Sequence, residues 1–240
     1  MAVFILVHGG CHGGWCYDRV ASSLRSAGHE VHAPTLSGVG DRAHLAIGAI
    51  NLSTHVEDIV SMIDMYNLED VILCGHSYGG MVITGVADCR ASKIASLVYL
   101  DGCVPEDGQS LLDIVRDTIG VERALDFIRL AGENGILMSA PPAAAFLQQA
   151  SHAEIDRVDR LCTPHPIACF IQKLNRTHRE GEVARRTYIR ADRFHSLNYP
   201  TCERLQADGG WRIKAIDCGH DMMIDAPDTL AELLLEELGP

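Results

Sequence analysis

Gly75-His76-Ser77-Tyr78-Gly79-Gly80 follows the apolar run Val71-Ile72-Leu73-Cys74 and precedes the helical pattern Met81-Val82-Ile83-Thr84-Gly85-Val86-Ala87. The order is therefore strand, Gly-x-Ser-x-Gly, helix. A serine on so tight a turn is lifted out at the end of a sheet. The flanking positions must be glycine because a side chain there would meet the neighbouring strand or helix. The helix that starts just after it directs partial positive charge at groups bound to the serine. Ser77 is thus the candidate nucleophile of a nucleophile elbow.

Outward from this turn, strand-like and helix-like runs alternate. Val3-Phe4-Ile5-Leu6-Val7 reads as a strand buried on both faces. Cys16 to Ala27 has helical periodicity and stops at Gly28. Glu30 to Ala33 is a short strand ended by Pro34, and Thr54-x-x-Glu57 reads as a capping box opening a helix through Ile59, Ile63 and Tyr66. Ser96-Leu97-Val98-Tyr99-Leu100 is the next strand. Such alternation specifies an α/β fold with a mostly parallel sheet of about six strands and helices on both faces.

From Pro105 to Arg185 no strand pattern is evident. Helical periodicities run through Leu111–Val115, Arg123–Leu130, Ala143–Ala150 and Ile167–Leu174. This predicts a helical cap, residues 105–185, inserted after the strand ending near Leu100 into a core of residues 1–104 and 186–240. Strands resume at Thr187–Arg190 and Trp211–Ile216, and a helix from Pro227 to Leu238 closes the chain.

Composition bounds the function. The 240 residues suffice for one well-buried core, and the net charge of −12 argues against nucleic-acid or membrane partners. Nine cysteines form no Cys-x-x-Cys pair, match no zinc spacing and are odd in number. With no signal peptide or membrane span in the sequence, the setting is read as cytoplasmic.

A serine hydroxyl needs a base in hydrogen-bond reach and a third group to orient that base. The candidate base is His220, in the loop Asp217-Cys218-Gly219-His220-Asp221 between the last strand and the last helix. Asp192, just beyond Thr187–Arg190, is the preferred acid. Asp101, at the end of Ser96–Leu100, is the rival, with a plain turn at Asp101-Gly102 as its bland explanation. The oxyanion hole requires two backbone N–H donors. They are assigned to Tyr78 and to Gly10 in the loop His8-Gly9-Gly10-Cys11-His12-Gly13-Gly14-Trp15. His12 and Trp15 are candidate substrate-binding residues, although packing would equally explain Trp15. His76 is expected to be buried packing. His8-x-x-x-His12 lies on a glycine-rich loop rather than a helix face, so no metal or other cofactor is expected.

These motifs resemble the α/β-hydrolase superfamily. Phe4-Ile5-Leu6-Val7-His8-Gly9-Gly10 and the elbow are similar to those of plant methylesterases and hydroxynitrile lyases. Gly38-Val39-Gly40-Asp41-Arg42, Val98-Tyr99-Leu100-Asp101-Gly102-Cys103-Val104-Pro105 and Leu161-Cys162-Thr163-Pro164-His165-Pro166 resemble bacterial carboxylesterases that hydrolyse pyrethroids and carbendazim. The resemblance implies the α/β-hydrolase fold, Asp192 as acid and Gly10 as oxyanion donor. It also implies a serine carboxylesterase acting on a small-to-medium apolar or aromatic ester through an acyl-enzyme on Ser77. Carbamate or amide hydrolysis with the same triad is the alternative. Hydroxynitrile lyases of this group carry threonine and lysine where this chain has Gly9 and Asp221, which disfavours that activity. A non-catalytic receptor on the same scaffold would not need the intact Ser, His and Asp set. The expected partner is a small-molecule ester, with a homodimer left open.

Overall fold

In the computed structural model the described residues are 1–45, 47–129, 135–177, 179–194 and 199–239. The elements run β1 (Val3–Val7), α1 (Asp18–Ser26), β2 (Glu30–His32), α2 (Leu52–Met65), β3 (Val71–His76), α3 (Gly79–Arg90) and β4 (Ile94–Leu100). An insertion follows, with α4 (Leu111–Ile119), α5 (Val121–Arg129), β5 (Leu137–Met138), α6 (His152–Leu161), β6 (His165–Pro166) and α7 (Ala168–Ile171). The chain then returns to the sheet through β7 (Arg185–Ala191), α8 (Tyr199–Asp208) and β8 (Arg212–Ile216), and ends in α9 (Met222–Asp225) and α10 (Pro227–Leu235).

The main sheet has six strands in the order β2-β1-β3-β4-β7-β8, every neighbouring pair parallel. Side chains alternate across it. Ile5, Val7, Leu73, Leu97 and Tyr99 join one buried cluster with Ile59, Ile63 and Val82 of α2 and α3. Phe4, Leu6, Ile72, Cys74, Val98 and Leu100 join the other, with Val20 and Leu24 of α1 and Leu230 and Leu234 of α10. Each fully buried side chain of this size contributes about 1.5–3 kcal/mol. Both faces of the central strands are thus covered, which accounts for their continuous apolar sequence.

The insertion departs from the expected pattern in three ways. β5 and β6 pair antiparallel as a two-residue ribbon where no strand was expected. Of Ala143–Ala150 only Ala143–Ala145 forms a helical turn. The Asp225 carboxylate accepts from the amides of Gln148, Gln149 and Ala150 at 2.8, 3.1 and 3.1 Å, drawing that backbone away from an i→i−4 ladder. Helical structure instead resumes at α6, whose N-cap Ser151 accepts from the Glu154 amide. Of Ile167–Leu174 only α7 is helical, and Leu130 lies outside the described residues.

The capping box of α2 also differs. Its N-cap is Asn51, whose side chain accepts from the Thr54 amide while the Thr54 side chain reaches back to the Asn51 amide. Thr54 is therefore the third helical residue and not the cap. No helix among the described residues is long and apolar enough to cross a membrane.

Candidate active site

Every loop named in the sequence analysis leaves the sheet at the carboxyl ends of its strands, where α/β sheets place their ligand crevices. Ser77 follows β3 directly and has φ of 51°, the left-handed conformation of a strained turn. Its carbonyl accepts from the amides of Gly80 (3.0 Å) and Cys103 (2.9 Å), and its own amide donates to Leu100 (3.2 Å). The flanking glycines are dictated by close approach. A Cβ on Gly75 would lie 2.6 Å from the Gly79 carbonyl oxygen, one on Gly79 2.7 Å from that of Val7, and one on Gly80 2.2 Å from that of Cys103.

His220 lies between β8 and α9. Its Nδ1 donates to Oδ2 of Asp101 at 2.6 Å. That leaves Nε2 as the acceptor, in a ring that lines the same cavity as Ser77. The backbone of His220 is held as well, because His76 Nε2 donates to its carbonyl at 3.0 Å. Phe194 and Phe146 flank the ring at 4.7 and 5.6 Å between centroids.

Asp101, not Asp192, is the carboxylate that meets His220. Asp101 directly follows β4, the strand beside β3; it has φ of 40° and is 1% exposed. Its amide donates to Ile189 of β7 at 2.7 Å, which fixes the turn toward the site. Asp192 extends β7, one strand farther from the nucleophile, and its amide donates to Ile216 of β8 at 2.9 Å. Its carboxylate accepts from Arg190 Nε at 2.7 Å, with the side chain 41% exposed. An aspartate beside an arginine two residues back in the same strand shares that strand's face, and its carboxylate is turned toward the arginine.

The amide of Gly10 and the amide of Tyr78 have no acceptor among the described residues, as oxyanion donors require. Both segments are anchored. His12 Nδ1 donates to the Gly10 carbonyl at 2.9 Å. The Tyr78 hydroxyl donates to His55 Nδ1 at 2.9 Å, and His55 Nε2 donates to the Ser37 carbonyl at 2.8 Å. Ser37 in turn is fixed by Asp58, which accepts from its amide and its hydroxyl at 2.8 Å each. Burial pushes the Tyr78 hydroxyl well above the ordinary phenol range and lowers His55, so both are neutral and the direction of their hydrogen bond is fixed. The sequence gives no sign of His55, since its place beside Tyr78 depends on how α2 packs on α3.

A cavity of about 300 Å³ opens over Ser77. The insertion supplies an apolar wall that includes Leu111, Phe127, Met138, Phe146, Val158 and Phe170. His12, His76 and Asp221 form a polar part of the lining. Trp15 does not line this cavity. It stacks on the His12 ring at 5.4 Å and lies under the Arg157 guanidinium, also at 5.4 Å.

A family model described as "Alpha/beta hydrolase family" matches residues 4–233. The chain belongs to the alpha/beta hydrolase family. It is 44% identical over 241 residues to a carbendazim hydrolyzing esterase from Nocardioides sp. (strain SG-4G), covering 98% of each chain. It is 28% identical to methyl jasmonate esterase 1 of Vitis vinifera, covering 81% of this chain and 79% of the relative. Among solved structures, an extracellular alpha/beta-hydrolase from a Paenibacillus species superimposes with a TM-score of 0.86 at 24% identity, over 99% of each chain.

Within this hydrolase the buried histidines away from Ser77 are committed to hydrogen bonds. His8 donates from Nδ1 to Gly9 and accepts at Nε2 from Leu36, and burial lowers its pKa to about 3. His55, His165 and Cys169 come close enough to suggest a cation site. Yet the lone pair of His55 takes the Tyr78 hydroxyl, and that of His165 takes the Cys11 amide at 3.1 Å. The imidazole lone pairs a metal would need are therefore occupied.

Proposed function

We propose that this carboxylic-ester hydrolase works through an acyl-enzyme on Ser77, with His220 as base and Asp101 as the acid that orients it. The observation carrying this reading is the 2.6 Å contact from His220 Nδ1 to Asp101 in a cavity that Ser77 shares. His220 Nε2 takes the Ser77 proton as Oγ attacks the substrate carbonyl. The amides of Gly10 and Tyr78 receive the developing oxyanion, and each such donor is worth on the order of 3 kcal/mol. The alcohol departs with the proton from His220. Water, deprotonated by His220, then attacks the acyl-enzyme, and the proton returns to Ser77 as the carboxylic acid leaves.

Residues 105–185 act as a cap over a core of residues 1–104 and 186–240. Their apolar lining supports an apolar or aromatic substrate of small to medium size. The similarity to a carbendazim hydrolyzing esterase supports a second reading, cleavage of a carbamate by the same residues. Nine free thiols, most of them buried, are consistent with work in a reducing, cytoplasmic setting. Hydrolysis of 4-nitrophenyl acetate by wild type and by Ser77→Ala tests the proposal. Turnover should fall by at least about 10³-fold in the variant, and turnover that survives the substitution refutes the role of Ser77.

A further inference from the structure

Cys11 and Cys162 both line the cavity over Ser77, and neither has a part in the hydrolytic steps. Cys11 directly follows Gly10 in the loop after β1, has φ of 66° and is buried. Cys162 is the C-cap of α6 in the insertion and is half-buried.

The backbone holds the two residues together. The Thr163 amide donates to the Cys11 carbonyl at 2.9 Å, and the Cys11 amide donates to His165 Nδ1 at 3.1 Å. Thr163 is itself fixed, because its hydroxyl accepts from the Gly40 amide at 2.8 Å. One carbonyl carbon separates the Thr163 amide from the Cα of Cys162, and the Cys11 carbonyl carbon is bonded to its own Cα. The hydrogen bond between them therefore brings the two α-carbons to about the 4–7 Å that a disulfide spans. The thiols also feel one another: burial pushes the Cys11 thiol up to about 12, and Cys162 is the second cause.

The two sulfurs differ in their surroundings. Cys11 is shut away, whereas Cys162 is in contact with His12. His12 Nε2 lies 3.3 Å from Asp221 Oδ2. Burial alone would lower the pKa of His12, yet Asp221 holds it well above the usual imidazole range, and Cys162 adds to that rise. A thiol reacts as its thiolate, and a cation beside it gives that anion a counter-charge. A half-buried thiol against a cation, with a second thiol held next to it, is the arrangement of a reactive cysteine and its resolving partner.

We propose that Cys162 and Cys11 are a modification site for peroxides, at which a reversible disulfide closes between the insertion and the loop that carries Gly10. The Cys162 thiolate attacks one peroxide oxygen and the O–O bond breaks, giving a sulfenic acid and hydroxide. The hydroxide takes up the proton that Cys162 gave up and becomes water. The Cys11 sulfur then attacks the Cys162 sulfur, and the sulfenic hydroxyl leaves with the Cys11 proton as a second water. Two thiols are oxidised and one peroxide is reduced. The new bond pulls on the residue after Gly10 and crowds the polar side of the cavity, so ester hydrolysis slows until a thiol reduces it.

Hydrogen peroxide, followed by intact-mass and fragmentation mass spectrometry, tests this. Wild type should become two hydrogens lighter, with the fragments joining Cys11 to Cys162. Turnover of 4-nitrophenyl acetate should fall at least about tenfold and return with dithiothreitol. Cys162→Ala should neither form the link nor lose turnover to the same treatment. A link from Cys162 to Cys16, whose thiol also feels Cys162, would overturn the proposal, as would a sulfinic acid on Cys162 without any link. A Cys11–Cys162 link that leaves turnover unchanged, or equal sensitivity of Cys162→Ala, would overturn it too. The mapped link is read in wild type and does not depend on which residue carries the acyl group.

Discussion

Nδ1 of His220 lies 2.6 Å from Oδ2 of Asp101, across 119 residues of sequence. β4, which Asp101 directly follows, lies beside β3, which Ser77 directly follows. Replacing Asp101 by Asn keeps the shape but offers the wrong hydrogen-bonding group to the imidazole. We expect kcat/KM to fall about 10³- to 10⁴-fold. Asp192→Asn should change it by less than about threefold, because that carboxylate pairs with Arg190 at the surface. Steady-state kinetics of the two variants decides between them, and a larger loss for Asp192→Asn would reverse the assignment.

Tyr78→Phe removes the hydroxyl that donates to His55 and leaves a buried imidazole acceptor unpaired. The loss of stability should be about 1–3 kcal/mol in urea unfolding. The same ring anchors the residue whose amide is proposed to receive the oxyanion, so on that proposal kcat should fall by roughly tenfold with KM little changed. A change confined to KM would show that the hydroxyl serves substrate binding instead.

Gly80→Ala would place a Cβ 2.2 Å from the Cys103 carbonyl oxygen, so the loop after β4 must move. That loop begins at Asp101. A destabilisation of ~3 kcal/mol is expected, together with loss of activity. Gly28→Ala meets open space at φ of 87° and should cost only the backbone strain, about 1–2 kcal/mol, with activity intact. Thermal unfolding of both variants checks the contrast.

The His12–Asp221 pair gives stability a definite pH dependence. His12 is raised above its ordinary 6.5, so its contribution is complete below that pH and is lost as the pH rises through the higher folded value. For Asp221, burial would raise the pKa, but His12, His76 and His220 together hold it below its ordinary 3.8. Its contribution is present above 3.8 and is lost as the pH falls through the lower folded value. Between these limits, at pH 5–6, His12→Asn should be less stable than wild type by on the order of 3 kcal/mol. The gap should narrow as the pH rises from 6.5 through the His12 transition. A gap that widens with rising pH would contradict the charged pair.

The parallel sheet, the turn that carries Ser77 and the place of His220 in the same cavity were legible because each is written locally: apolar runs of strand length, glycines enforced by close approach, and a histidine between the last strand and helix. Which carboxylate meets His220 was not, since both aspartates follow a strand on the same edge of the sheet. What separates them is the Arg190 beside Asp192 and the positive φ of Asp101, neither of which the periodicity records. The helix expected over Ala143–Ala150 failed for a similar reason. Asp225, some 75 residues later, takes the amides that would have propagated it. Trp15 sits in the predicted loop, but it packs on His12 and not against the cavity.

The central claim is that Ser77 carries the acyl group. A 4-nitrophenyl alkylphosphonate, followed by intact-mass and peptide mass spectrometry, tests it most directly. We expect one phosphonyl adduct per chain on the peptide containing Ser77, formed with release of 4-nitrophenolate and slowed about 10³-fold or more in Asp101→Asn and in His220→Ala. An adduct on another residue, or labelling of Ser77→Ala at the wild-type rate, would contradict the account.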